Sequence, residues 1–456
     1  MPIAAIVLAA GQGTRMKSNL PKVLHPVAGA PMICWVIDRL ERLKISPIYV
    51  VVGYKADAVR DALSEREVIC VQQAHQRGTA DAVRCTSALS NFKGSVLILN
   101  GDTPLLTEAT LRGFLNHHAQ HHATVTLLTA HLPDPTGYGR ILRHAEGELI
   151  GIVEEREATE TQRAIHEINT GTYLVRAPFL FKVIENLRPH PPSNEFYLTD
   201  IVEQASQQKL SLSSVTAPSE EAIGINRRID LARAERIARD RINAYWMSEG
   251  VTLLDPATIR IAAKVKLAED VVLYPGVTLE GRTQIGARSI IYPGRICDSE
   301  IGTDVLIKDY CVIEGAVIAA GASIGPFARI RPESQIDREA HIGNFVEIKK
   351  SRIGTASKVN HLSYLGDTEV GKRVNVGAGV ITCNYDGVKK HQTVIEDDVF
   401  VGSDAQLIAP VRIGKGATIA AGTTLTQDVP SGTLAISRTP QSHKRNWNKK
   451  RKTSEP

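Results

Sequence analysis

Short apolar runs alternate with helix-like patterns in the first half of the chain. The runs that most clearly predict strands are residues 3–9, 48–52, 96–99 and 123–129. Between them lie stretches such as 36–43 and 80–89, whose apolar residues recur as on one face of a helix. Strands that alternate with helices predict a mainly parallel sheet covered by helices. The functional edge of such a sheet lies at the carboxyl ends of its strands.

A six-residue period replaces this pattern in the second half. The aliphatic residues that keep this spacing are Leu267, Leu273, Leu279, Ile285, Ile291; Ile318, Ile324, Ile330, Ile336, Ile342, Ile348; and Ile395, Val401, Leu407, Ile413, Ile419, Leu425. The next residue is often glycine or alanine. Such a period is typical of a β-helix, in which one aliphatic residue per strand points inward. At three strands per turn, residues 251–430 would make about ten coils.

The stretch between the two patterns is highly charged and has helical periodicity. Ala234, Ile237, Ala238, Ile242 and Tyr245 fall on one stripe. We therefore predict three regions: an α/β domain at residues 1–226, a linker helix at 227–250, and a β-helix domain at 251–456 that ends in a basic tail.

The six-residue register slips once within the β-helix pattern. Val376 and Ile395 are 19 residues apart, where 18 would preserve the phase. The gap holds residues 382–392, which are polar and include a glycine and two adjacent lysines. A loop ejected from a regular solenoid often carries function, so we expect this segment to contribute to a site.

The charge balance narrows the classes of function. The chain has 54 Lys and Arg against 49 Asp and Glu. Six of the bases and one of the acids lie from Lys444 onward, so residues 1–443 carry 48 of each sign. A neutral body argues against a nucleic-acid-binding protein, which would spread basic charge over one face. The six cysteines show no metal-binding spacing and predict reduced thiols in a cytosolic protein. No apolar run reaches the roughly 18 residues of a membrane span.

A glycine-containing loop follows the first predicted strand. Residues 8–16 read LAAGQGTRM, and glycines after a strand let backbone amides approach phosphate oxygens. A dinucleotide fingerprint would need a third glycine at Met16, and a Walker loop would need Gly-Lys-Ser/Thr. A phosphate loop followed by the cations Arg15 and Lys22 therefore remains. The alternative is a tight turn with surface cations.

Other residues admit two interpretations from the sequence alone. Asp102 follows the strand at 96–99, where a carboxylate suits Mg²⁺ but could equally cap the next turn. His361 lies two residues after the inward position Val359, where a base could sit, although a surface histidine is the usual outcome. Arg331 and Lys349 could bind a phosphate or be solvated strand residues. The histidines at 117, 118, 121 and 122 predict a solvated helix face rather than a metal site.

Both halves resemble known families. The motif at residues 8–16 with the following Pro21 and Lys22 resembles that of sugar-nucleotide pyrophosphorylases. Further matching segments are Gln73 with Gly78-Thr79, Asn100-Gly101-Asp102, the GYGR run at 137–140, Glu154, the EINTG run at 167–171, and the GIN run at 224–226. Together with the hexapeptide half, residues 3–445 resemble the bacterial bifunctional N-acetylglucosamine-1-phosphate uridylyltransferase/glucosamine-1-phosphate N-acetyltransferase family.

The resemblance implies a Rossmann-like nucleotidyltransferase domain and a left-handed parallel β-helix. It also implies acetyl-CoA-dependent N-acetylation of glucosamine 1-phosphate in the second half, and uridylyl transfer from UTP to N-acetylglucosamine 1-phosphate in the first. The product, UDP-N-acetylglucosamine, is a precursor of bacterial envelope sugars. Two alternatives remain: a pyrophosphorylase whose β-helix serves only oligomerisation or regulation, and a non-enzymatic interaction protein.

The resemblance also assigns roles residue by residue. For the first activity it implies Arg15 and Lys22 at the reacting phosphates, Mg²⁺ held by Asp102 and Asn226, and contacts to UTP or its sugar product from Leu8, Ala9, Ala10, Gly11, Gly13, Lys22, Gln73, Gly78, Thr79, Asn100, Gly101, Asp102, Gly139, Glu154, Asn169 and Asn226. For the second it implies His361 as the base, Arg331, Lys349, Tyr364 and Asn375 at the sugar phosphate, and Ala378, Asn384, Tyr385, Ser403, Ala421 and Arg438 at acetyl-CoA.

The family further implies a homotrimer formed through the β-helix, in which the loop near Thr382 reaches a neighbouring subunit. We expect a cytoplasmic enzyme with small-molecule substrates and neither nucleic-acid nor membrane partners. One departure from the family pattern is visible, because residues 224–228 read GINRR where Gly-Val-Asn-Asn-Arg is more usual. Asn226 itself is retained.

Overall fold

The computed structural model describes residues 2–191 and 194–447. It divides into two compact units, residues 1–241 and 242–456, and the division falls inside the helix Arg228–Ser248. The domain limits of 226 and 250 stay a prediction. The predicted basic tail lies partly outside the described residues, from residue 448 onward.

The first unit is an α/β structure. Its strands are β1 Ile3–Ala9, β2 Pro26–Val27, β3 Ala30–Pro31, β4 Ile48–Val52, β5 Ile69–Gln72, β6 Ser95–Asn100, β7 Val125–His131, β8 Arg140–Arg143, β9 Leu149–Val153, β10 Glu167–Arg176 and β11 Leu212–Thr216. Its α-helices are α1 Met32–Arg42, α2 Ala56–Ala62, α3 Thr79–Arg84, α4 Glu108–Gln120, α5 Glu160–Arg163, α6 Ala177–Asn186, α7 Asp200–Gln207 and the start of α8 Arg228–Ser248. Short 3₁₀ helices span Thr14–Met16, Lys22–Leu24 and Ser87–Leu89.

The main sheet has the order β11-β7-β10-β6-β1-β4-β5. All neighbouring pairs in this order are parallel except those of β10, which runs antiparallel to β6 and β7. Leu8 of β1 lies opposite Val51 of β4 and Asn100 of β6, so these three strands end at one edge. Because β10 runs the other way, its beginning lies at that same edge. The predicted mainly parallel sheet is confirmed.

Helices cover the sheet on both faces. Ala4 and Ile6 of β1 belong to one buried cluster, while Ala5 and Val7 belong to another on the opposite face. Strands buried on both sides read as continuous apolar runs, which is why they were recognisable in the sequence. The predicted strand at 123–129 begins later, at Val125, because Ala123 still donates its N–H to His118 O at 3.3 Å and closes the end of α4.

The second unit is a parallel β-helix. Within the described residues its first sheet contains Thr252–Leu253, Val272–Leu273, Ile290–Ile291, Leu306–Ile307, Ser323–Ile324, His341–Asn344, Lys358–His361, Asn375–Val376, Phe400–Val401, Thr418–Ile419 and Leu434–Ala435. Its second contains Arg260–Ile261, Thr278–Glu280, Gly294–Cys297, Cys311–Glu314, Arg329–Ile330, Glu347–Lys349, Tyr364–Gly366, Ile381–Cys383, Gln406–Ile408 and Thr424–Leu425. Its third contains Lys266–Leu267, Gln284–Ile285, Glu300–Ile301, Val317–Ile318, Gln335–Ile336, Arg352–Ile353, Thr368–Val370, Thr393–Ile395 and Val411–Ile413.

The six-residue period accounts for the core of this unit. Every aliphatic residue of the three runs is buried in one continuous cluster. Residues in equivalent positions of successive coils are partners in the parallel ladders, as Ile342 is with Val359 and Val359 with Val376. The prediction of a β-helix with a loop ejected near residue 382 is confirmed. That loop leaves after Ile381–Cys383 and returns at Thr393–Ile395.

The helix α8 follows the predicted stripe only in part. Ala234 and Ala238 are buried, and Ile242 packs against the β-helix core. Tyr245 is instead 54% exposed, so the buried part of the stripe ends before this residue. Trp246, four residues after Ile242, packs against the core, because an i,i+4 step keeps a residue on the same helix face. Within the described part of the chain, no helix is long and apolar enough to cross a membrane.

Two candidate active sites

Three segments from distant parts of the first unit meet at the carboxyl edge of its sheet. The ammonium of Lys22 contacts Asp102 Oδ2 and lies 3.1 Å from Asn226 Oδ1. Arg15 donates to the same amide oxygen at 2.8 Å. The backbone holds the two acceptors together, since the N–H of Ile225 donates to Asp102 O at 3.1 Å. The structure therefore brings together both predicted cations and both predicted metal ligands.

The glycine loop lets these groups approach. Gly13 has φ 65°, and a Cβ at this position would lie 2.6 Å from Cβ of Lys22. A side chain at residue 13 would therefore displace Lys22, and the left-handed backbone favours glycine as well. Gly11 has open space around its Cα, with no other atom within 4 Å of a Cβ built there. The loop therefore has space for a ligand at Gly11, and the missing side chain of Gly13 leaves space for Lys22.

A cavity of about 440 Å³ opens beside this charged cluster. It is lined by most of the residues predicted for nucleotide binding: Leu8, Ala9, Ala10, Gly11, Lys22, Gln73, Gly78, Thr79, Asn100, Asp102 and Glu154. The predicted residues that do not line it are Gly13, Arg15, Gly101, Gly139, Asn169 and Asn226. A concave site with convergent polar groups is the usual form of a small-molecule site.

One side of the cavity is fixed by hydrogen bonds. Gln73 is 3% exposed, and its Nε2 donates to Gly78 O at 3.2 Å and to Asp81 Oδ2 at 2.8 Å. The hydroxyl of Thr79 accepts the N–H of Leu198 at 3.0 Å. These bonds hold the Gln73 amide in one orientation, which suits the recognition of a flat polar base.

The residues expected at the sugar lie around the start of β10. The N–H of Asn169 donates to Gly139 O at 2.9 Å, and its Nδ2 donates to the hydroxyl of Tyr173 at 2.7 Å. Glu154 accepts from the hydroxyl of Thr199 at 3.4 Å. Burial raises the pKa of Glu154 above its ordinary value, while the Thr199 bond opposes that rise. This carboxyl therefore takes up its proton at a higher pH than most glutamates do, and in the protonated form it can donate a hydrogen bond.

Sequence reasoning missed part of the cavity wall. Gln76, Glu195 and Tyr197 line it, although no motif or period singled them out. The segment that carries Tyr197 reaches the cavity through backbone bonds, in which Ala80 N–H donates to Phe196 O at 3.0 Å. Such a contact joins residues more than one hundred positions apart, and no local pattern reports it.

The donor set at Asp102 and Asn226 fits a magnesium ion. One carboxylate and one amide oxygen are hard ligands, and Mg²⁺ in proteins takes one or two such ligands, keeping waters and substrate phosphates for the rest. Both oxygens now accept from Lys22 or Arg15, so both already face positive charge. Among the described residues no group of three or more His, Cys, Asp and Glu is placed to hold a metal.

The histidine cluster on α4 differs from its predicted solvated face. His118 is 2% exposed and its ring nitrogens contact Ser95 Oγ at 2.9 Å and Thr126 Oγ1 at 2.7 Å. Burial lowers the pKa of His118 to about 4, so the ring is neutral. His117 and His121 stack with ring centroids 3.9 Å apart. The prediction was wrong for His118, because this position of α4 faces the sheet.

The candidate site of the second unit centres on His361. This residue ends the strand Lys358–His361, is exposed, and has Nδ1 2.8 Å from Oδ1 of Asn344 in the previous coil. An amide oxygen only accepts, so the proton lies on Nδ1 and Nε2 remains the basic nitrogen. The ring is thereby held in the tautomer that a general base needs.

Basic and polar side chains occupy the neighbouring second sheet. Arg331 donates to Glu347 Oε1 at 2.9 Å, and Glu347 lies opposite Tyr364 in the next coil. Lys349 follows in the same strand as Glu347. Sequence reasoning missed Lys390 of the ejected loop, whose pKa is lowered by the neighbouring ammonium of Lys349. Two neighbouring ammonium groups of this kind suit an anion such as a phosphate.

Successive coils place four of the predicted residues in one row with Asn344, which sequence reasoning missed. Asn344, His361, Ala378, Ser403 and Ala421 each come two residues after an inward aliphatic residue, and those aliphatic residues are register partners from coil to coil. We call these five residues the corner row, since they lie where the first sheet turns into the second.

Small residues keep this corner narrow. A Cβ on Gly377 would lie 2.5 Å from the nitrogen of Ser403, and one on Gly402 would lie 2.5 Å from that of Ala421. Arg438 comes near the end of the row, with its Cδ 3.7 Å from a Cβ built on Gly422. A long ligand could therefore lie along this corner, within reach of the backbone amides of the protein.

The remaining predicted residues lie apart from this row. Asn375 is in the first sheet, opposite Lys358 and Phe400. Asn384 is 7% exposed and donates to Asp367 Oδ2. Tyr385, on the ejected loop, is 60% exposed and donates to Gly387 O at 2.6 Å. In the contacts of the described chain, Asn384 and Tyr385 are not joined to the corner row.

Comparisons with known proteins cover both units. A family model described as "MobA-like NTP transferase domain" matches residues 5–167, and one described as "Bacterial transferase hexapeptide (six repeats)" matches residues 392–427. Proteins named "Bifunctional protein GlmU" are similar over nearly the whole chain. The one from Pelobacter propionicus is 48% identical over 449 residues, covering 98% of each chain. Those from Shouchella clausii and Thermoanaerobacter pseudethanolicus are 46% and 48% identical, with at least 97% of each chain covered.

Proposed function

The chain belongs to the family of bifunctional GlmU proteins, and on that premise we propose how its residues carry out two transfer reactions. The protein is an enzyme with two activities. Residues of the β-helix, which is left-handed in this family, acetylate glucosamine 1-phosphate with acetyl-CoA. Residues of the α/β unit then couple N-acetylglucosamine 1-phosphate to UTP, and UDP-N-acetylglucosamine and pyrophosphate are formed. The observation that carries the proposal is the convergence of Arg15, Lys22, Asp102 and Asn226 beside a cavity of nucleotide size.

Uridylyl transfer depends on positioning and charge neutralisation. A phosphate oxygen of the sugar attacks the α-phosphorus of UTP, a P–O bond forms, and the bond to pyrophosphate breaks. In our proposal Lys22 neutralises the attacking sugar phosphate, and Arg15 neutralises the triphosphate of UTP, from which pyrophosphate leaves. The cavity residues Gln73, Gly78 and Thr79 hold the uracil, and the fixed Gln73 amide selects it. Glu154, Asn169 and Gly139 hold the sugar.

Magnesium belongs to this proposal as the ion held by Asp102 and Asn226. When bound, Mg²⁺ neutralises phosphate charge and aligns the reacting oxygens. The Lys22 ammonium, which contacts both ligands in the free chain, is then available for the sugar phosphate. The Ile225–Asp102 backbone bond holds the segments of Asp102 and Asn226 next to each other.

Acetyl transfer requires a base and a place for a long thioester. The amine nitrogen of glucosamine 1-phosphate attacks the thioester carbonyl, a C–N bond forms, and the sulfur leaves as coenzyme A. We propose that His361 takes the amine proton on Nε2, because Asn344 holds the other nitrogen protonated. Arg331, Lys349, Tyr364 and Asn375 would bind the sugar phosphate. The corner row, with Arg438, Asn384 and Tyr385, would receive acetyl-CoA.

A trimer in the cytoplasm is part of the same proposal. Tyr310, Phe327, Phe345 and Leu362 occupy one corner of successive coils and are between 47% and 63% exposed. The first three stack with ring centroids 5.3 Å apart. An exposed apolar ladder usually marks an interface, and Leu362 directly follows His361. Packing against another copy would bury the ladder and enclose the site. A cytoplasmic location fits the supply of UTP and acetyl-CoA.

One experiment separates this function from a pyrophosphorylase with a non-catalytic β-helix. The full chain is incubated with glucosamine 1-phosphate, acetyl-CoA, UTP and Mg²⁺, and products are followed by mass. We expect N-acetylglucosamine 1-phosphate first and UDP-N-acetylglucosamine afterwards. Formation of the UDP-sugar only when acetylated sugar phosphate is supplied would favour the non-catalytic β-helix. Light scattering of the same sample gives the subunit number.

A further inference from the structure

Arg228, the first residue of α8, joins two segments of the first unit. Its Nε donates to Met16 O at 3.2 Å, and its NH1 lies 3.3 Å from Nδ1 of His25. Met16 ends the 3₁₀ helix that carries Arg15, and His25 immediately follows the 3₁₀ helix Lys22–Leu24. A single guanidinium therefore contacts both cation-bearing segments of the uridylyl-transfer site.

His25 is buried beside the turn of Lys22. The residue is 3% exposed, and its backbone N–H donates to Lys22 O at 3.2 Å, so the backbone of His25 is tied to that turn. A guanidinium only donates, which makes Nδ1 the acceptor and places the ring proton on Nε2. Burial, and then the charge of Arg228, lower the pKa of His25 below its ordinary value. The bond is thus one between a guanidinium donor and an imidazole acceptor.

We propose that Arg228 is a positioning residue for uridylyl transfer, which fixes the segments of Arg15 and Lys22 at the distance from Asn226 that the reaction requires. The inference rests on the proposed function of the first unit. Asn226 lies two residues before Arg228, and its Oδ1 accepts from both cations. Asn226 therefore contacts the side-chain ends of the two cations, while Arg228 anchors the backbone beneath one and the turn of the other.

The geometry explains why arginine is needed. Nε and NH1 are fixed in one plane, so the two contacts are made together and set the spacing of two segments. A lysine ammonium has three donors but lacks this fixed planar spacing between them. The segments themselves are single 3₁₀ turns with few internal bonds, and they depend on such outside contacts. Displacement of a reacting group by about 1 Å can lower a rate by roughly a hundred-fold.

The neighbouring Arg227 offers a matched control. Its guanidinium contacts Asp230 within α8, with NH2 3.2 Å from Oδ1, and its side chain is 65% exposed. It has the same charge and lies beside Arg228 in the sequence. The full chain is made as Arg228→Ala, Arg228→Lys and Arg227→Ala. For each, kcat and the KM values for UTP and N-acetylglucosamine 1-phosphate are measured per folded molecule, with acetyl transfer measured on the same sample.

We expect Arg228→Ala to lower the kcat of uridylyl transfer by about ten- to a hundred-fold. The KM for UTP should change less than about three-fold, because Gln73, Gly78 and Thr79 are not braced by Arg228. Arg228→Lys should recover only part of the rate. Acetyl transfer should stay within about two-fold in every variant, and Arg227→Ala should match the parent in both reactions.

Three results would overturn the inference. The first is a kcat of Arg228→Ala within three-fold of the parent. The second is full recovery by Arg228→Lys, which would mean that charge alone is needed. The third is a lower melting temperature with an unchanged kcat per folded molecule, which would show a purely structural role. If Arg228→Ala does not fold, the kcat of Arg228→Lys relative to the parent decides between a positioning role and a requirement for charge alone. Lack of uridylyl transfer in the parent chain would instead count against the proposed function.

Discussion

The uridylyl-transfer site gathers side chains that are far apart in the sequence, whereas the acetyl-transfer site gathers side chains one coil apart. Lys22, Asp102 and Asn226 come from a turn, a strand end and a loop, and the sheet brings them into contact. Asn344 and His361 come from successive turns of a solenoid and lie together because the ladder sets their register.

The two sites also differ in how far their side chains are exposed to solvent. The side chains of Lys22 and Asp102 are 17% and 12% exposed, while His361 lies on an open face. Charges with little solvent around them interact more strongly than exposed ones. A site built on tertiary contacts can therefore be enclosed within one chain. A site built on a flat, repeating surface needs a second protein surface to enclose it. The exposed ladder of Tyr310, Phe327 and Phe345 is suited to pack against such a surface.

The largest effect should come from Asp102→Ala. Loss of the carboxylate removes a proposed magnesium ligand and the anionic partner of Lys22, so uridylyl transfer should fall about a thousand-fold or more, equivalent to roughly 4 kcal/mol. Acetyl transfer should be unchanged, as should both activities of the control Asp57→Ala, whose side chain is 93% exposed. Uridylyl transfer is measured by the release of pyrophosphate, and acetyl transfer by the release of the coenzyme A thiol. Loss of both activities in Asp102→Ala would contradict independent sites.

The reciprocal test is His361→Ala. Removal of the proposed base should lower acetyl transfer by roughly 10²- to 10⁴-fold and leave pyrophosphate release intact. His341→Ala, in the adjacent coil and also on the first sheet, is the matched control and should retain most of the acetyl transfer. Equal losses in the two variants would place the base elsewhere.

A core substitution in the β-helix should have a smaller effect and a local one. Ile313→Ala removes a side chain with no solvent exposure from the strand Cys311–Glu314 and should cost about 2–4 kcal/mol of unfolding free energy. Coils contact only their neighbours, so a calorimetric transition of the second unit should move while uridylyl transfer persists. The control Val317→Ala, where the residue is 45% exposed, should stay within about 0.5 kcal/mol. A shift in the uridylyl-transfer rate would show that the units do not act independently.

The smallest effect concerns Glu154. Its pKa is raised by burial, so protonation sets in at higher pH than for an ordinary glutamate. We expect the KM for N-acetylglucosamine 1-phosphate to rise as the pH falls, and Glu154→Gln to change that KM at most about ten-fold while weakening its pH dependence.

The stability of Glu154→Gln should follow the same titration. A carboxyl with a raised folded-state pKa stabilises the fold below its unfolded-state pKa, and that contribution is lost as the pH rises through the folded-state pKa. The variant does not titrate, so its stability relative to the parent should increase with pH. Glu146→Gln, at an exposed glutamate, serves as the control. If the KM for N-acetylglucosamine 1-phosphate had the same pH dependence in the parent and in Glu154→Gln, a role of Glu154 in binding the sugar would be ruled out.

Much of the β-helix could be predicted from the sequence because its contacts repeat at a fixed distance along the chain. The inward aliphatic residues, the coil number and the ejected loop all follow from a six-residue period. The corner row was also accessible in principle, since its members share one position in the repeat. Helical periodicity placed Tyr245 on one stripe of the linker helix, but periodicity alone does not say where the buried part of a stripe ends.

In the α/β unit, the sequence by itself determined the strands, the glycine loop and the cations beside it. Periodicity and glycine content are local, and they report which residues can form a strand or admit a phosphate. Only the tertiary structure decided that Asn226 meets Lys22, that Tyr197 lines the cavity and that Arg228 spans two turns. These contacts join residues up to 212 positions apart, and their free energy depends on distances that only the folded sheet sets.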